Sequence, residues 1–427
     1  MLRIRDISMY PGQDEGALVY EAAKALRISA SEIRSLHIAR RSVDARKKPD
    51  VKIIYTVDVT LKSGEGRVLK KCGNKRVAQA LVQGYRPPKF RPGGEKRPVV
   101  IGFGPAGIFA ALILAMAGQR PIVLERGENA ASRHKKVEAF WETGVLDSRT
   151  NVQFGEGGAG TFSDGKLNTG VNNPRIQWIL QQFVSAGAQE DILYDAKPHV
   201  GTDVLLEVVQ NLRGRIQALG GEVRFCSQVT KLHLEGEQLA GVELDTGETI
   251  PCDHAVLAIG HSARDTFETL LSQGVPMEPK PFAMGVRIEQ LQEKINASQY
   301  GTQNVHLPPA DYKLVQHLQD STVYTFCMCP GGYVVAAASE EGRTVTNGMS
   351  YCARSGKNAN AALLVTVNPQ EFPEPGPLGG MVWQRRIEEA AYRLTGSYQA
   401  PAQRVEDFLA GRPSSGPGSV APTYRPG

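Results

Sequence analysis

Apolar and polar side chains alternate along VKIIYTVDVTL, residues 51–61. This period of two predicts a β-strand with one buried face. The apolar spacing of GALVYEAAKALR, residues 16–27, predicts a helix before that strand, and RVAQALVQGY, residues 76–85, predicts a helix after it. We therefore expect a small α+β domain over residues 1–90, followed by a proline- and glycine-rich linker over residues 91–97.

The pattern changes at residue 98, where PVVIGFGPAGIFAALILAMAGQRPIVLERG runs to residue 127. A short apolar strand, a glycine turn, an apolar helix and a second strand follow one another, which is the order of a βαβ unit. Much further along the chain, HAVLAIG at residues 254–260 predicts a fully buried strand that ends in glycine. The pattern thus predicts an α/β fold whose parallel sheet is split by a long insertion.

The glycine turn of this unit has the spacing GxGxxG, directly after the strand VVI. The first glycine allows a tight turn, the second lets the backbone approach a pyrophosphate, and the third lets the helix pack closely on the strand. An acidic residue ends the next strand, where a carboxylate binds ribose hydroxyls and repels a 2′-phosphate. The unit therefore predicts bound NAD or FAD rather than NADP. The predicted binding residues are Gly102, Gly104, Pro105, Ala106, Gly107, Glu125 and Arg126.

Two features favour FAD over NAD. Flavoproteins of the glutathione-reductase type have a split sheet of this kind, and HAVLAIG, which ends at Gly260, resembles their Ala-Thr-Gly strand. In addition, the glycine-rich stretch FGEGGAGTFSDGKL, residues 154–167, lies between the two halves, where that superfamily has a glycine loop near the pyrophosphate and the flavin. The superfamily pattern also implies that Val229 contacts the adenine through its backbone.

The same stretch contains Gly160, Gly165 and Lys166 at the spacing of a phosphate-binding P-loop. A P-loop needs Ser or Thr after its lysine to coordinate Mg²⁺, and Leu167 stands there instead. We therefore expect a cofactor loop, with Lys166 either near the flavin N1–C2=O edge or exposed to solvent. The predicted loop contacts are Gly157, Gly158, Gly160, Thr161, Ser163 and Lys166.

Several long motifs resemble the uncharacterised FAD-dependent dehydrogenases, an NAD(P)/FAD-dependent oxidoreductase family. They are the loop above, KPFAMGVRIE, FCMCPGG and VTNGMSYCARSGKNANAALLVTV. The resemblance runs from the basic first domain to RVEDFLAGRP, residues 404–413. It implies a flavoprotein with two dinucleotide-binding domains, bound FAD and oxidoreductase activity, but no particular substrate. We expect a split FAD-binding Rossmann-like domain over residues 98–280, a strand-rich substrate or cap domain over 281–370, and a C-terminal helix and tail over 371–427.

One departure from the superfamily pattern concerns the end of the chain. Members normally finish with a glycine-rich turn and a helix that covers the flavin N1–C2=O region, and nothing similar follows GRPSSGPGSVAPTYRPG. The sequence therefore predicts a chain that is C-terminally truncated relative to the family, with weak FAD binding and no activity.

Composition adds a charge asymmetry and a cellular compartment. Residues 1–97 hold 22 Lys and Arg against 10 Asp and Glu. Such a basic segment fits a solvated surface or a nucleic-acid partner. The six scattered cysteines form no disulfide framework, and the longest apolar run, residues 108–118, is too short to cross a bilayer. We expect a cytoplasmic protein without a membrane span.

A few other side chains are candidates for chemistry. Cys327 and Cys329 form CxC, a spacing that suits thiol chemistry or small apolar packing better than a zinc site. Arg287 and Arg354 are candidates to bind an acidic substrate bidentately, although surface salt bridges explain most such arginines. His261 follows the Gly260 turn, next to the cofactor or simply in a loop. No pattern assigns a catalytic acid, base or nucleophile.

The predicted function is an FAD-dependent oxidoreductase that passes a hydride between an unidentified small molecule and flavin N5. NAD(P)H is a candidate electron donor. The alternatives are an RNA- or partner-binding protein that uses the basic first domain, with FAD structural or sensory, and an ATPase that uses Gly160 to Lys166. The sequence specifies neither the substrate nor the oligomeric state.

Overall fold

The computed structural model describes residues 1–81, 84–89, 96–302 and 306–427. The chain divides into two compact units: the first comprises residues 1–86, 166–200 and 292–311, and the second comprises residues 87–165, 201–291 and 312–427. Most of the predicted linker, residues 91–95, lies outside the described residues. The domain boundaries inferred from sequence stay predictions.

The described chain contains runs of strands separated by helices. The strands are β1 Leu2–Met9, β2 Ile33–Asp44, β3 Lys52–Leu61, β4 Val77–Gln79, β5 Val99–Ile101, β6 Ile122–Leu124, β7 Glu222–Arg224, β8 Val229–Glu235, β9 Gln238–Leu244, β10 Thr249–Pro251, β11 Ala255–Leu257, β12 Phe282–Leu291, β13 Val315–His317, β14 Thr322–Cys329, β15 Tyr333–Ala336, β16 Thr346–Met349 and β17 Asn358–Val367. The helices are α1 Leu18–Leu26, α2 Glu65–Cys72, α3 Pro105–Met116, α4 Ala130–Thr143, α5 Arg175–Ser185, α6 Thr202–Ala218, α7 Arg264–Ser272, α8 Gln292–Tyr300, α9 Gly379–Thr395 and α10 Val405–Leu409.

The first unit contains an antiparallel sheet with the strand order β2-β3-β1-β4. With α1 after β1 and α2 after β3, this is the β-α-β-β-α-β order of the ferredoxin-like fold. The alternation seen in the sequence puts Val57 and Val59 of β3 in the core, where α1 covers them with Leu18 and Leu26. The mixed α/β character of the chain is confirmed, and so is the strand predicted over residues 51–61.

The helix predicted over residues 76–85 is wrong over its described part. Val77–Gln79 form β4, which pairs with β1 and places Val77 opposite Ile4 in the core. Pairing with β1 satisfies backbone hydrogen bonds along a sheet edge, and this tertiary gain outweighs the local helical spacing of apolar residues. The helix of this region is α2, which ends before Gly73.

The second unit contains a parallel sheet with the order β11-β5-β6-β7. The predicted return of the chain to this sheet is confirmed, because β11 pairs with β5 through Ala255 and Val99. The expectation that this strand is fully buried is wrong: Val256 is 38% exposed and Leu257 is 46% exposed. The reason is that β11 is an edge strand of this sheet, with a neighbour on one side.

Three further antiparallel sheets complete the second unit among the described residues. Their orders are β10-β9-β8, β12-β17-β14-β13 and the pair β15-β16. The long pairing of β12 with β17 forms the centre of the strand-rich region that the sequence predicted after residue 280. The register of β14 against β17 shifts between Phe326 and Cys329, which marks a β-bulge.

Candidate functional site

The second unit has a cleft of 1120 Å³ beside the carboxyl ends of its parallel strands. Ile101 of β5, Leu124 of β6 and Leu257 of β11 contribute to its wall. Ligands of open α/β sheets bind at this edge of the sheet. The volume exceeds the ~300–1,000 Å³ of usual small-molecule pockets, as a long ligand such as a dinucleotide requires.

The GxGxxG turn forms one side of this cleft. A β-carbon on Gly107 would lie 2.0 Å from the carbonyl oxygen of Gly102, so only glycine lets α3 pack this closely on β5. Gly102 itself has φ +95°, and a β-carbon there would lie 2.4 Å from the carbonyl oxygen of Ala258. Helix α3 begins at Pro105, and no described side chain caps its N-terminus. Its first-turn amides therefore remain available to an anion.

Glu125 joins three segments of the chain at the cleft wall. It is buried, and its Oε2 accepts a hydrogen bond from the backbone N–H of Phe103 at 2.7 Å. Its Oε1 accepts from the N–H groups of Gly127 and Gly155, both at 3.0 Å. Because a carboxylate oxygen has two acceptor positions, Oε2 keeps one for a further donor such as a ribose hydroxyl.

The glycine loop packs against the GxGxxG turn backbone to backbone. The N–H of Gly157 donates to the carbonyl oxygen of Phe103 at 2.9 Å. Gly158 has φ +60°, and a β-carbon there would lie 3.0 Å from the Cα atom of Gly104. A side chain at residue 158 would therefore separate the two loops. Gly158 and Gly160 both line the cleft.

Arg133 holds the loop in place, and sequence reasoning missed it. This side chain is fully buried in α4, and its guanidinium donates to the carbonyl oxygens of Asn151 (2.9 Å), Val152 (2.9 Å) and Glu156 (2.6 Å). Burial lowers the pKa of Arg133 to about 10, against the opposing charges of Glu125 and Glu156, so the group is charged at neutral pH. The available signal was an arginine on the otherwise apolar stripe of α4.

Glu156 is a second buried charge behind the loop. Its Oε2 accepts from the N–H of Ala130 at 2.7 Å and from Arg213 at 3.0 Å. Burial raises the pKa of Glu156, while Arg213 and Arg133 oppose that effect. Among the described residues its Oε1 has no hydrogen-bond partner. The loop therefore lies over a buried cluster in which arginines balance carboxylates.

The predicted site residues fall into three sets. Those that line the cleft are Gly102, Gly104, Pro105, Ala106, Glu125, Arg126, Gly158, Gly160, Val229 and Gly260. Gly107 and Gly157 are packed behind the wall, and the hydroxyls of Thr161 and Ser163 bond within the loop itself. Lys166 belongs to the first unit, where its backbone forms a bridge with His199. Contact of any of these residues with FAD stays a prediction.

The other candidate side chains have distinct surroundings. Arg354 pairs with the buried carboxylate of Asp164, so its guanidinium is engaged within the fold. Arg287 donates to Asn360 at 2.6 Å. His261 lines the cleft, and its pKa is lowered by desolvation and by the positive charge of Arg264, which keeps the imidazole neutral at pH 7.

The described residues contain neither a metal-binding cluster nor a membrane-spanning helix. No histidine, cysteine or carboxylate side chains in them are arranged to hold a metal ion. Nor does any helix in this part of the chain combine the length and apolarity that crossing a membrane requires.

Comparison with known proteins identifies the family. Residues 281–427 match a family described as FAD-dependent protein, C-terminal domain-like, and residues 167–301 match flavin containing amine oxidoreductase. Residues 1–60 match a domain of unknown function. A THI4 protein from Thermovibrio ammonificans (16% identical, 43% of this chain, TM-score 0.30) and the halogenase PltM (11% identical, 69% of this chain, TM-score 0.31) are among the similar solved structures. The chain spans 64% and 56% of their respective lengths.

The relative that decides the family is an uncharacterised protein from Clostridium beijerinckii. It is 47% identical over 434 residues, a match that covers 100% of this chain and 81% of the relative. The matches to an FAD-dependent family and to a flavin-containing family give FAD as the cofactor. The chain belongs to the family of uncharacterised FAD-dependent oxidoreductases.

Proposed function

We propose that the cleft of the second unit is the FAD site of this oxidoreductase. In this proposal the pyrophosphate lies against the N-terminus of α3, the adenosine ribose on Glu125, and the adenine beside the backbone of Val229. The observation that carries the proposal is the uncapped N-terminus of α3, which opens into the cleft next to a buried carboxylate with one acceptor position left. Amides and a helix dipole attract the phosphates, and the carboxylate selects the sugar.

The residues of the cleft fit the cofactor sterically. A β-carbon on Gly104 would have no atom closer than 3.7 Å, apart from its chain neighbours. The atom at that distance is the Cα atom of Gly158. Two glycines at this point leave the backbone exposed to a bulky diphosphate. The return of the chain through β11, parallel to β5, supports the glutathione-reductase-type arrangement that we propose for this domain.

FAD supplies the redox chemistry when it is bound, by accepting a hydride from a small-molecule donor at N5 and releasing electrons to an acceptor. The chain's own part is to bind and orient. Arg133 and Glu125 fix the two loops that meet at Gly104 and Gly158, and the apolar wall residues exclude water from the cleft. The donor is a small molecule, and NAD(P)H is one candidate.

A matched pair of substitutions on α3 tests the site. Gly104→Asp places a carboxylate at the proposed pyrophosphate position, where the fold leaves room for a β-carbon, so the protein should fold and lose FAD affinity at least 100-fold. Gly118→Asp puts the same group at the other end of α3, in open space but at φ +78°, so it should cost about 1 kcal/mol of stability and still bind FAD as the unmodified protein does. FAD fluorescence quenching measures both affinities, and circular dichroism checks the fold.

Equal FAD affinity of the Gly104→Asp and Gly118→Asp variants would exclude the cleft as the FAD site. Once FAD is loaded, anaerobic addition of NADH, NADPH or candidate substrates identifies the donor through the loss of oxidised-flavin absorbance. A donor that reduces the flavin within seconds supports the oxidoreductase mechanism. If no nicotinamide cofactor and no small-molecule donor reduces it, the hydride-transfer part of the proposal is wrong.

A further inference from the structure

The bulge in β14 puts one extra residue into the strand at the CxC segment. Phe326 pairs with Ala362 and Cys329 pairs with Asn360, so Cys327 and Met328 share a single opposite residue on β17. Cys327 has φ +45°, the left-handed conformation that glycine normally takes at the first position of such a bulge. The chain keeps a cysteine in this conformation although glycine would adopt it without strain.

The bulge brings the two cysteines together. In a regular strand, residues i and i+2 are separated by roughly 6.6 Å, more than a disulfide tolerates between its β-carbons. Here the Cys329 thiol donates to the carbonyl oxygen of Cys327 at 3.2 Å. The bulge therefore holds the Cys329 sulfur against residue 327, where a regular strand would keep the two residues apart.

The two thiols differ in their surroundings. Cys327 is partly exposed, and Cys329 is fully buried. The pKa of Cys329 is raised well above its ordinary value, first by the hydrogen bond with Cys327, then by burial and by the negative charge of Asp164. The reachable sulfur is thus that of Cys327, and Cys329 stays protonated behind it. A partly exposed attacking thiol next to a second, resolving thiol is the arrangement of a redox-active pair.

We propose that Cys327 and Cys329 form a reversible dithiol–disulfide couple that small-molecule disulfides oxidise. In the first step the Cys327 thiolate attacks the small disulfide, which breaks its S–S bond and releases one thiolate. In the second step Cys329 loses its proton and attacks the mixed disulfide, which forms the Cys327–Cys329 bond and releases the second thiol. The protein loses two electrons and two protons, and the small disulfide gains both.

Peptide mapping tests the couple in the unmodified protein. The tryptic peptide 314–343 contains both cysteines and no other, because Lys313 precedes it and Arg343 ends it. After incubation with oxidised glutathione and alkylation of free thiols, we expect this peptide to be unalkylated and two hydrogens lighter. Dithiothreitol should restore two alkylation sites. A peptide that stays doubly alkylated, or keeps glutathione on Cys327, overturns the proposal.

The contribution of the fold is measured by comparison with the denatured chain. If the bulge brings the sulfurs together, the internal disulfide should form at least tenfold faster in the native protein than in guanidinium chloride. Equal rates would show that the CxC spacing alone is responsible, and would contradict the inference. Cys329→Ser should stop at a glutathione adduct on Cys327, and Cys226→Ser, which removes an exposed cysteine elsewhere, should leave the reaction unchanged.

Discussion

Arg133 is the side chain whose removal should disturb the cleft most without touching its lining. We consider Arg133→Met, which keeps most of the buried stem and removes the charged group. The variant leaves the carbonyl oxygens of Asn151 and Val152 without the guanidinium donor, and the Glu156 carbonyl keeps the Thr161 hydroxyl at 3.3 Å. These carbonyls belong to the segment that continues into Gly158, so the loop loses its hydrogen bonds to the Arg133 side chain and keeps the one from the N–H of Ala130 to Glu156.

The expected cost follows from these contacts. A hydrogen bond to a charged group contributes about 1.5–3 kcal/mol, and a buried acceptor left without a partner costs about 1–3 kcal/mol. Adding such costs for all three hydrogen bonds overestimates the effect of the substitution. Burying the guanidinium itself carries a desolvation cost, which methionine avoids. Breaking a buried charge interaction costs about 3–5 kcal/mol. We therefore expect Arg133→Met to lower the free energy of unfolding by about 4 kcal/mol.

Urea unfolding followed by circular dichroism provides the assay, with Arg386→Met as the control. Arg386 lies on the exposed face of α9 and pairs with Glu374, so the same substitution there should cost less than about 1 kcal/mol. FAD affinity gives a second readout, and we expect a loss of at least tenfold for Arg133→Met and none for Arg386→Met. If the two variants were equally stable and bound FAD equally, the role assigned to Arg133 would be refuted.

Three further predictions concern other parts of the fold. Arg354→Met removes the ion pair with the buried Asp164 carboxylate and should destabilise the protein by about 3–5 kcal/mol, measured by urea unfolding; a cost below about 1 kcal/mol would contradict the buried pairing. A β-carbon on Gly331 would lie 1.8 Å from the Arg354 carbonyl oxygen. Gly331→Ala should therefore lower the melting temperature far more than Gly236→Ala. Gly236 also has a positive φ but lies in open space, so its substitution should cost about 1 kcal/mol of stability. Burial raises the pKa of Tyr300 to about 12, so the folded state holds its proton longer than the unfolded state and stability should fall as pH rises from about 10 to 12. Tyr300→Phe should flatten that part of the pH profile, whereas Tyr20→Phe, at an exposed tyrosine, should leave it unchanged.

The sequence predicts those parts of the site whose residues lie close together along the chain. Gly102, Gly104 and Gly107 lie within one turn, and the strand–turn–helix order around them leaves few alternative conformations. Glu125 follows from the end of the next strand. The alternation in β3 and the return of the chain through β11 are similarly local patterns, which is why both strands appear where they were expected.

The rest depends on contacts between distant segments. Arg133 acquires its role only when residues 151–156 fold over α4, and nothing in its immediate neighbours specifies that loop. The pairing of Arg354 with Asp164 joins residues far apart in the chain, so the sequence favoured a surface salt bridge over substrate binding but did not identify this buried partner. The segment around Val77 has apolar spacing compatible with a helix, and the free edge of β1 decides in favour of a strand.

The most direct test of the FAD site is a crystal structure of the FAD-loaded protein. The account predicts pyrophosphate oxygens within hydrogen-bond distance of the first-turn amides of α3, and a ribose hydroxyl that donates to Oε2 of Glu125. A cofactor bound elsewhere, or one whose pyrophosphate does not contact the N-terminus of α3, would contradict it.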